Sequence, residues 1–214
     1  MFTQKGFCIS SEKRFIATSR GFTLVELMIV LSIIAIGVAL AVPSYTDVLQ
    51  RRETTAQAEE LVAFVNYAKS ESVKFNEMTS VHLTYTDKDN WCIGANEGSA
   101  PCDCTETDTG AGNFCSLNDV ATIMRSSDQT KSSMAAASAD KTFVFDPIRG
   151  TMATEDLGTN HGLTLESDNG HWSLQVDIGV TGRVRICNPD DTKAVPGYQS
   201  CPSFGITPIR PPRT

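Results

Sequence analysis

The chain changes from polar to apolar at one stretch, RGFTLVELMIVLSIIAIGVALAVP, which covers residues 20–43. Residues 27–42 contain no charged side chain, and Ser32 is their only polar one. The 21 residues from 22 to 42, at about 1.5 Å of rise each, reach roughly 30 Å, the thickness of a bilayer's hydrocarbon core. Residues 1–20 carry four basic side chains and one acidic one. We therefore expect one transmembrane helix over 22–43, with the N-terminus in the cytoplasm and the remainder in the periplasm.

Two ordinary kinds of N-terminal segment could account for this apolar stretch. A cleaved secretory signal peptide is supported by Ala39-Leu40-Ala41, which has the small-x-small cleavage pattern. The other is an uncleaved signal anchor. Glu26 argues against both, because a carboxylate inside an apolar span costs about 2.5 kcal/mol or more.

A prepilin leader explains the glutamate. Gly21, the aromatic Phe22 after it and Glu26 five residues on resemble the type III signal of type IV pilins and type II secretion pseudopilins. The resemblance implies that a membrane peptidase cuts between Gly21 and Phe22, making residues 1–21 a leader, and that Phe22 is then N-methylated. It also implies that Glu26 neutralises the N-terminal amine of a neighbouring subunit, since a carboxylate in lipid needs a cationic partner. Thr23 and Glu26 additionally have capping-box spacing at the helix start.

The pattern beyond residue 43 is first helical and then β. Leu61, Val65, Ala68 and Ser72 fall on one stripe, which predicts that an amphipathic helix occupies 44–76 and continues the apolar one. Apolar residues then alternate with polar ones, which predicts strands at 81–85, 143–145, 163–165, 172–178 and 184–186. Two exposed loops are expected, at 95–119 and 126–140.

The resulting fold class is α+β. A long N-terminal helix, transmembrane in its first half, is expected to pack on a periplasmic antiparallel β domain that covers 77–201 and has disulfide-pinned loops. The proline-rich residues 202–214 are expected to form a flexible tail.

Seven cysteines are an awkward number for an oxidised protein. Removing the leader takes away Cys8 and leaves six, all on the periplasmic side, where disulfides persist. Locality favours a pair between Cys187 and Cys201. A zinc site is the alternative for the other four, but they lack the usual paired spacing of zinc ligands. We therefore expect disulfides and no metal, with the pairing left open for Cys92, Cys102, Cys104 and Cys115.

The C-terminal part is basic although the chain is acidic. The net charge is −7, and −10 once residues 1–21 with their four basic and one acidic side chain are removed, yet residues 179–214 carry a local +3. Arg183 and Arg185 alternate with apolar residues, so we expect both guanidinium groups on one face of a strand. At the usual rise they would lie about 6.6 Å apart, a spacing suited to two phosphates.

Residues 181–201 resemble the C-terminus of FimT-type minor pilins, part of the GspH/FimT/FimU family, some of which bind DNA through a Gly-Arg-x-Arg motif. The resemblance implies that Gly182, Arg183 and Arg185 contact double-stranded DNA. Helper contacts are expected from Lys193, Arg210 and Arg213. The other interpretation of the same residues is an ordinary strand whose solvated arginines pair with nearby acids.

These observations predict a minor pilin of a type IV pilus system that contributes to filament assembly and captures DNA for natural transformation. The alternative is a GspH-like minor pseudopilin of type II secretion with a purely structural role. The expected partners are other pilins or pseudopilins through the N-terminal helix, the prepilin peptidase, the inner membrane and DNA. No cofactor and no enzymatic activity are expected, because the three histidines form no motif with a nucleophile.

Overall fold

The computed structural model describes residues 21–128, 132–138, 140–153 and 162–202. The chain divides into two compact units, residues 1–44 and residues 45–214. Helix α1, Leu24–Phe75, contributes to both units. Thr23 caps the start of α1, because its hydroxyl accepts a hydrogen bond of 3.2 Å from the Glu26 amide, as the capping-box spacing predicts.

The described part of the first unit is the start of α1 with the residues before it. Every side chain from residue 21 to residue 39 is exposed, including Phe22 at 82% and Ile36 at 65%. A largely apolar exposed surface of this kind is typical of segments that bind another molecule or a membrane. In the part of the chain that the structure describes, no helix meets the length and apolarity needed to cross a membrane.

The second unit joins the rest of α1 to two antiparallel four-stranded sheets, with strand orders β5-β2-β1-β7 and β10-β9-β8-β6. A separate two-stranded ribbon pairs β3 with β4. The strands are β1 Thr79–Tyr85, β2 Trp91–Glu97, β3 Ser116–Leu117, β4 Val120–Ala121, β5 Ile123–Arg125, β6 Ser132–Met134, β7 Lys141–Phe145, β8 Gly162–Ser167, β9 Ser173–Ile178 and β10 Val184–Cys187.

One core holds α1 and both sheets together. The predicted helix stripe of Leu61, Val65, Ala68 and Ser72 is buried, and its apolar members pack with residues of both sheets. Helix α1 ends where Asn76 takes a left-handed φ of 53°, a conformation that asparagine tolerates at a helix C-terminus. The α+β class, with a long helix on antiparallel sheets and disulfide-pinned loops, is confirmed.

The sequence pattern missed three strands of the two main sheets, β2, β5 and β6. Strand β2 lies between β1 and β5 and is buried on both faces over residues 91–95, so its sequence WCIGANE shows no alternation. The expectation of an exposed loop over 126–140 was also wrong, because Met134 in β6 is fully buried. Short strands that contribute one or two core residues give no periodic signal.

Three disulfides pin the second unit: Cys92–Cys104, Cys102–Cys115 and Cys187–Cys201. The first two form a small buried cluster of their own, against which Ile123 packs. This cluster covers the face of β2 that points away from α1. It buries that face, as a second layer of apolar side chains would.

Asp47 ties α1 to the turn between β8 and β9. Its Oδ1 atom accepts a hydrogen bond of 3.0 Å from the Trp172 indole and lies 3.2 Å from Nδ1 of His171. The hydrogen bond with His171, followed by those from Trp172 and Asn169, lowers the pKa of Asp47 below its usual 3.8. A carboxyl group with a lowered pKa adds stability above its unfolded pKa and loses that contribution as the pH falls through its folded pKa.

We therefore expect Asp47→Asn to lower the thermal midpoint by a few degrees at pH 7, because the charged acceptor is gone. The difference from wild type should shrink as the pH falls below about 4, where the unfolded carboxyl group takes up a proton while the folded one is still charged, and it vanishes only below the folded pKa. Thermal unfolding followed by circular dichroism from pH 7 to pH 3 measures both effects. Asp89→Asn, on the exposed loop before β2, is the control, and a constant difference across this range would contradict the explanation.

Candidate functional site

The predicted processing and assembly residues lie at the start of α1. Gly21 and Phe22 precede the helix, and Phe22 is 82% exposed, so the peptide bond between them is accessible. Glu26 is exposed in the first turn of α1. A carboxylate at this position is favoured by the partial positive charge of the helix N-terminus, and it remains free to take an ion-pair partner from another chain.

Gly182 lies in the five-residue loop, residues 179–183, between β9 and β10. The Gly179 amide donates to the Arg183 carbonyl, and Gly182 has a φ of 71°, in the left-handed region that this kind of loop requires. A Cβ on Gly182 would lie 2.0 Å from the Gly150 carbonyl oxygen, so no larger residue fits. The glycine of the Gly-Arg-x-Arg motif is therefore required by the fold itself.

Lys69 of α1 holds this loop in place. Its Nζ donates a hydrogen bond of 2.9 Å to the Gly182 carbonyl. Lys69 was not among the predicted site residues, because a lysine on the solvent side of a helix carries no signal that it reaches a loop 113 residues away.

The two arginines of the motif have different surroundings. Arg183, directly before β10, is exposed, and no polar group among the described residues pairs with its side chain. Arg185 pairs instead with Asp177, which lies opposite it on β9, through two contacts of 2.8 Å to Oδ2. Asp177 is only 3% exposed. Removing Arg185 would leave this buried carboxylate unpaired, at a cost of about 3–5 kcal/mol.

The helper residues are only partly described. Lys193 forms an ion pair of 3.1 Å with Glu166, so its charge is locally neutralised. Arg210 and Arg213 lie outside the described residues. Of the expected DNA contacts, Arg183 therefore has no acidic partner within the described ranges, whereas Arg185 and Lys193 each already have one.

Asn188 is a structural residue that the sequence analysis missed. Its buried side chain donates to the carbonyl groups of Val195 and Tyr198 and accepts from the Val195 amide. Next to it, Cys187 is joined to Cys201. These bonds fix the chain after β10 against β9 and β10.

Comparison with known proteins gives two family matches. Residues 57–194, more than half of the chain, match the family described as type II transport protein GspH, and residues 16–42 match the prokaryotic N-terminal methylation motif. The crystal structure of the type IV minor pilin FimU of Pseudomonas aeruginosa is similar over 62% of this chain and 90% of that chain, with 18% identity and a TM-score of 0.41.

Curated relatives match over short stretches of the chain. A fimbrial protein of Pseudomonas aeruginosa is 41% identical over 61 residues, 28% of this chain and 40% of that protein. A type IV major alpha-pilin of Moraxella bovis is 50% identical over 44 residues, 21% of this chain and 28% of that protein. The chain thus spans less than half the length of these curated relatives. The match over residues 57–194 shows that the chain belongs to the GspH family.

Proposed function

We propose that this chain is a minor pilin of a type IV pilus system. Residues 22–43 anchor it in the inner membrane, with the N-terminus in the cytoplasm and the globular unit in the periplasm. The prepilin peptidase cuts between Gly21 and Phe22, and Phe22 is N-methylated. The mature helix then packs among the helices of other pilins, and Glu26 pairs with the N-terminal amine of a neighbour.

The observation that carries this proposal is the exposed apolar start of α1 with a single acidic residue, within a match to the N-terminal methylation motif. Such a surface must be covered, first by lipid and then by other apolar helices. A charge is tolerated in that setting when an ion-pair partner is present. The three disulfides agree with a periplasmic globular unit, because disulfides persist in an oxidising compartment.

The experiment is to shear surface filaments from the native host and to measure the chain in that fraction by immunoblotting, with and without the prepilin peptidase. The proposal predicts the processed chain in the filaments and only the precursor in the membranes of the peptidase mutant. A chain absent from filaments, combined with a protein secretion defect on its deletion, would instead support the alternative, a minor pseudopilin of type II secretion.

We further propose that the subunit captures double-stranded DNA. The observation that favours this is Arg183, an exposed arginine that pairs with no described acid, on a loop fixed by Gly182 and Lys69, in a chain of net charge −7. Contacts of this kind neutralise phosphates without reading bases, so binding should be salt-sensitive and independent of sequence. Several copies along one filament would add avidity.

The test is a titration of the oxidised full-length chain in non-ionic detergent with fluorescent duplex DNA, followed by anisotropy at several salt concentrations. Arg183→Ala is the informative variant, because Arg185→Ala also disturbs the buried Asp177. DNA capture predicts binding that weakens with salt. The slope of log affinity against log salt concentration should be smaller by about one in the variant. Absence of binding at low salt would leave the chain with its structural role alone.

A further inference from the structure

The loop from Asp146 to Gly150 lies directly against the loop that carries Arg183. The Met152 amide donates a hydrogen bond of 3.1 Å to the Val180 carbonyl, and the Gly150 carbonyl oxygen contacts Gly182. Lys69 reaches both loops, since its Cε lies 3.1 Å from the position that a Cβ on Gly150 would take. Two loops far apart in sequence are therefore joined at one point, beside α1.

Each loop places an arginine next to this point. Arg149 immediately precedes Gly150, and Arg183 immediately follows Gly182. Because consecutive Cα atoms are 3.8 Å apart, the contact between the two glycines holds the Cα atoms of the arginines within roughly 14 Å of each other. Two arginines at this separation can contact phosphates across a minor groove of about 6 Å, or phosphates a few nucleotides apart on one strand.

Within the described part of the chain, nothing occupies either arginine side chain. Arg149 and Arg183 are exposed, and neither has a polar side-chain partner among the described residues. Six arginines lie in the described ranges, and Arg52 is the third of them that is exposed without a polar side-chain partner there. It lies 17 residues from Lys69 on α1, about 25 Å along the helix axis.

The nearby acid does not cancel the charge of Arg149 through an ion pair. Asp146 Oδ1 accepts hydrogen bonds of 2.9 Å from the amides of Ile148 and Arg149, so its carboxylate is used to shape the loop. The backbone of Arg149 is thus held in place, while the residue is exposed. Among the described residues named at this junction, Lys69, Arg149 and Arg183 are basic and Asp146 is acidic.

We propose that Arg149 and Arg183 together form the phosphate-binding pair of this subunit, with Gly150, Gly182 and Lys69 as the residues that position them. This inference rests on the proposal that the subunit captures double-stranded DNA, and it assigns the second contact to Arg149 instead of Arg185. Arg185 keeps Asp177 neutralised behind the loop. The ligand is the sugar-phosphate backbone of duplex DNA, bound without sequence preference.

The experiment measures the salt dependence of duplex binding for the full-length oxidised chain and the variants Arg149→Ala, Arg183→Ala, Arg149→Lys and Arg52→Ala. The slope of log affinity against log salt should fall by about one unit for each alanine variant at the junction and by about two for the double variant. Arg149→Lys should keep most of the slope, because lysine also binds phosphate as a point charge. Arg52→Ala removes the same charge elsewhere and should behave as wild type.

The outcomes separate the two proposals. Wild-type binding that Arg183→Ala weakens, while Arg149→Ala matches Arg52→Ala, overturns the paired site and leaves DNA capture by Arg183 in place. Equal losses for all three alanine variants would indicate a general charge effect and would also overturn the site. No binding by the wild type overturns both proposals. Thermal midpoints equal to that of the wild type show that a loss does not come from unfolding.

Discussion

Replacing Glu26 with valine is expected to exclude the chain from filaments. In the proposed filament, the carboxylate of Glu26 lies among apolar helices and pairs with the N-terminal amine of a neighbouring subunit. Removing one partner of a buried ion pair costs about 3–5 kcal/mol, because the other charge stays buried and unpaired. This energy corresponds to roughly a hundredfold or greater loss of incorporation. Leader cleavage should continue, since the peptide bond between Gly21 and Phe22 is unchanged.

The measurement is a quantitative immunoblot of sheared filaments and membranes for the wild type, Glu26→Val and Glu26→Asp. The aspartate variant keeps the charge on a shorter side chain and should retain part of the incorporation. The valine variant should accumulate in the membrane in its processed form. Wild-type amounts of Glu26→Val in filaments would show that the carboxylate has no role in assembly.

Replacing Gly94 with alanine is expected to disrupt the disulfide cluster. A Cβ at this position of β2 would lie 2.2 Å from Sγ and 2.8 Å from Cβ of Cys115, and 3.1 Å from Sγ of Cys102. Neither cysteine can move away easily, since both are buried and bonded to each other. Overpacking of a core costs about 1–3 kcal/mol, and loss of a disulfide costs about 2–5 kcal/mol. We expect a loss of about 3 kcal/mol or more in the free energy of unfolding.

Denaturant unfolding and a count of free thiols measure this effect. Gly112→Ala, in the loop between Cys104 and Cys115 and with open space around its Cβ position, is the matched control and should unfold like the wild type. A Gly94→Ala protein with three intact disulfides and unchanged stability would contradict the packing argument.

Long periodic segments made much of the fold predictable from the sequence. The stripe through Leu61 and Val65 indicated which face of α1 is buried, and alternating residues indicated the strands from 172 to 186. Strand β2 could not be predicted in this way, because the disulfide cluster buries its second face and removes the alternation. Its cover comes from cysteines that lie up to 18 residues beyond the strand.

The candidate site was predictable only in part, for a similar reason. The motif around Gly182 indicated a basic loop. A local sequence pattern does not show which of its arginines pairs with an acid in the folded chain. Arg185 differs from Arg183 because it forms an ion pair with Asp177, which the pairing of β9 with β10 places opposite it. Lys69 and Arg149 come next to the loop through tertiary contacts over long sequence separations, which spacing within one segment cannot reveal.

The central claim is that the chain is a processed pilin, and the mass of the mature protein tests it most directly. We would purify the chain from its native host without reduction and measure its intact mass and its N-terminal peptide. The account predicts an N-terminus at Phe22, one added methyl group on its amine and three disulfides. A mature chain that begins at residue 42, after the Ala39-Leu40-Ala41 pattern, would contradict it, because neither Glu26 nor the apolar half of α1 would then reach a filament.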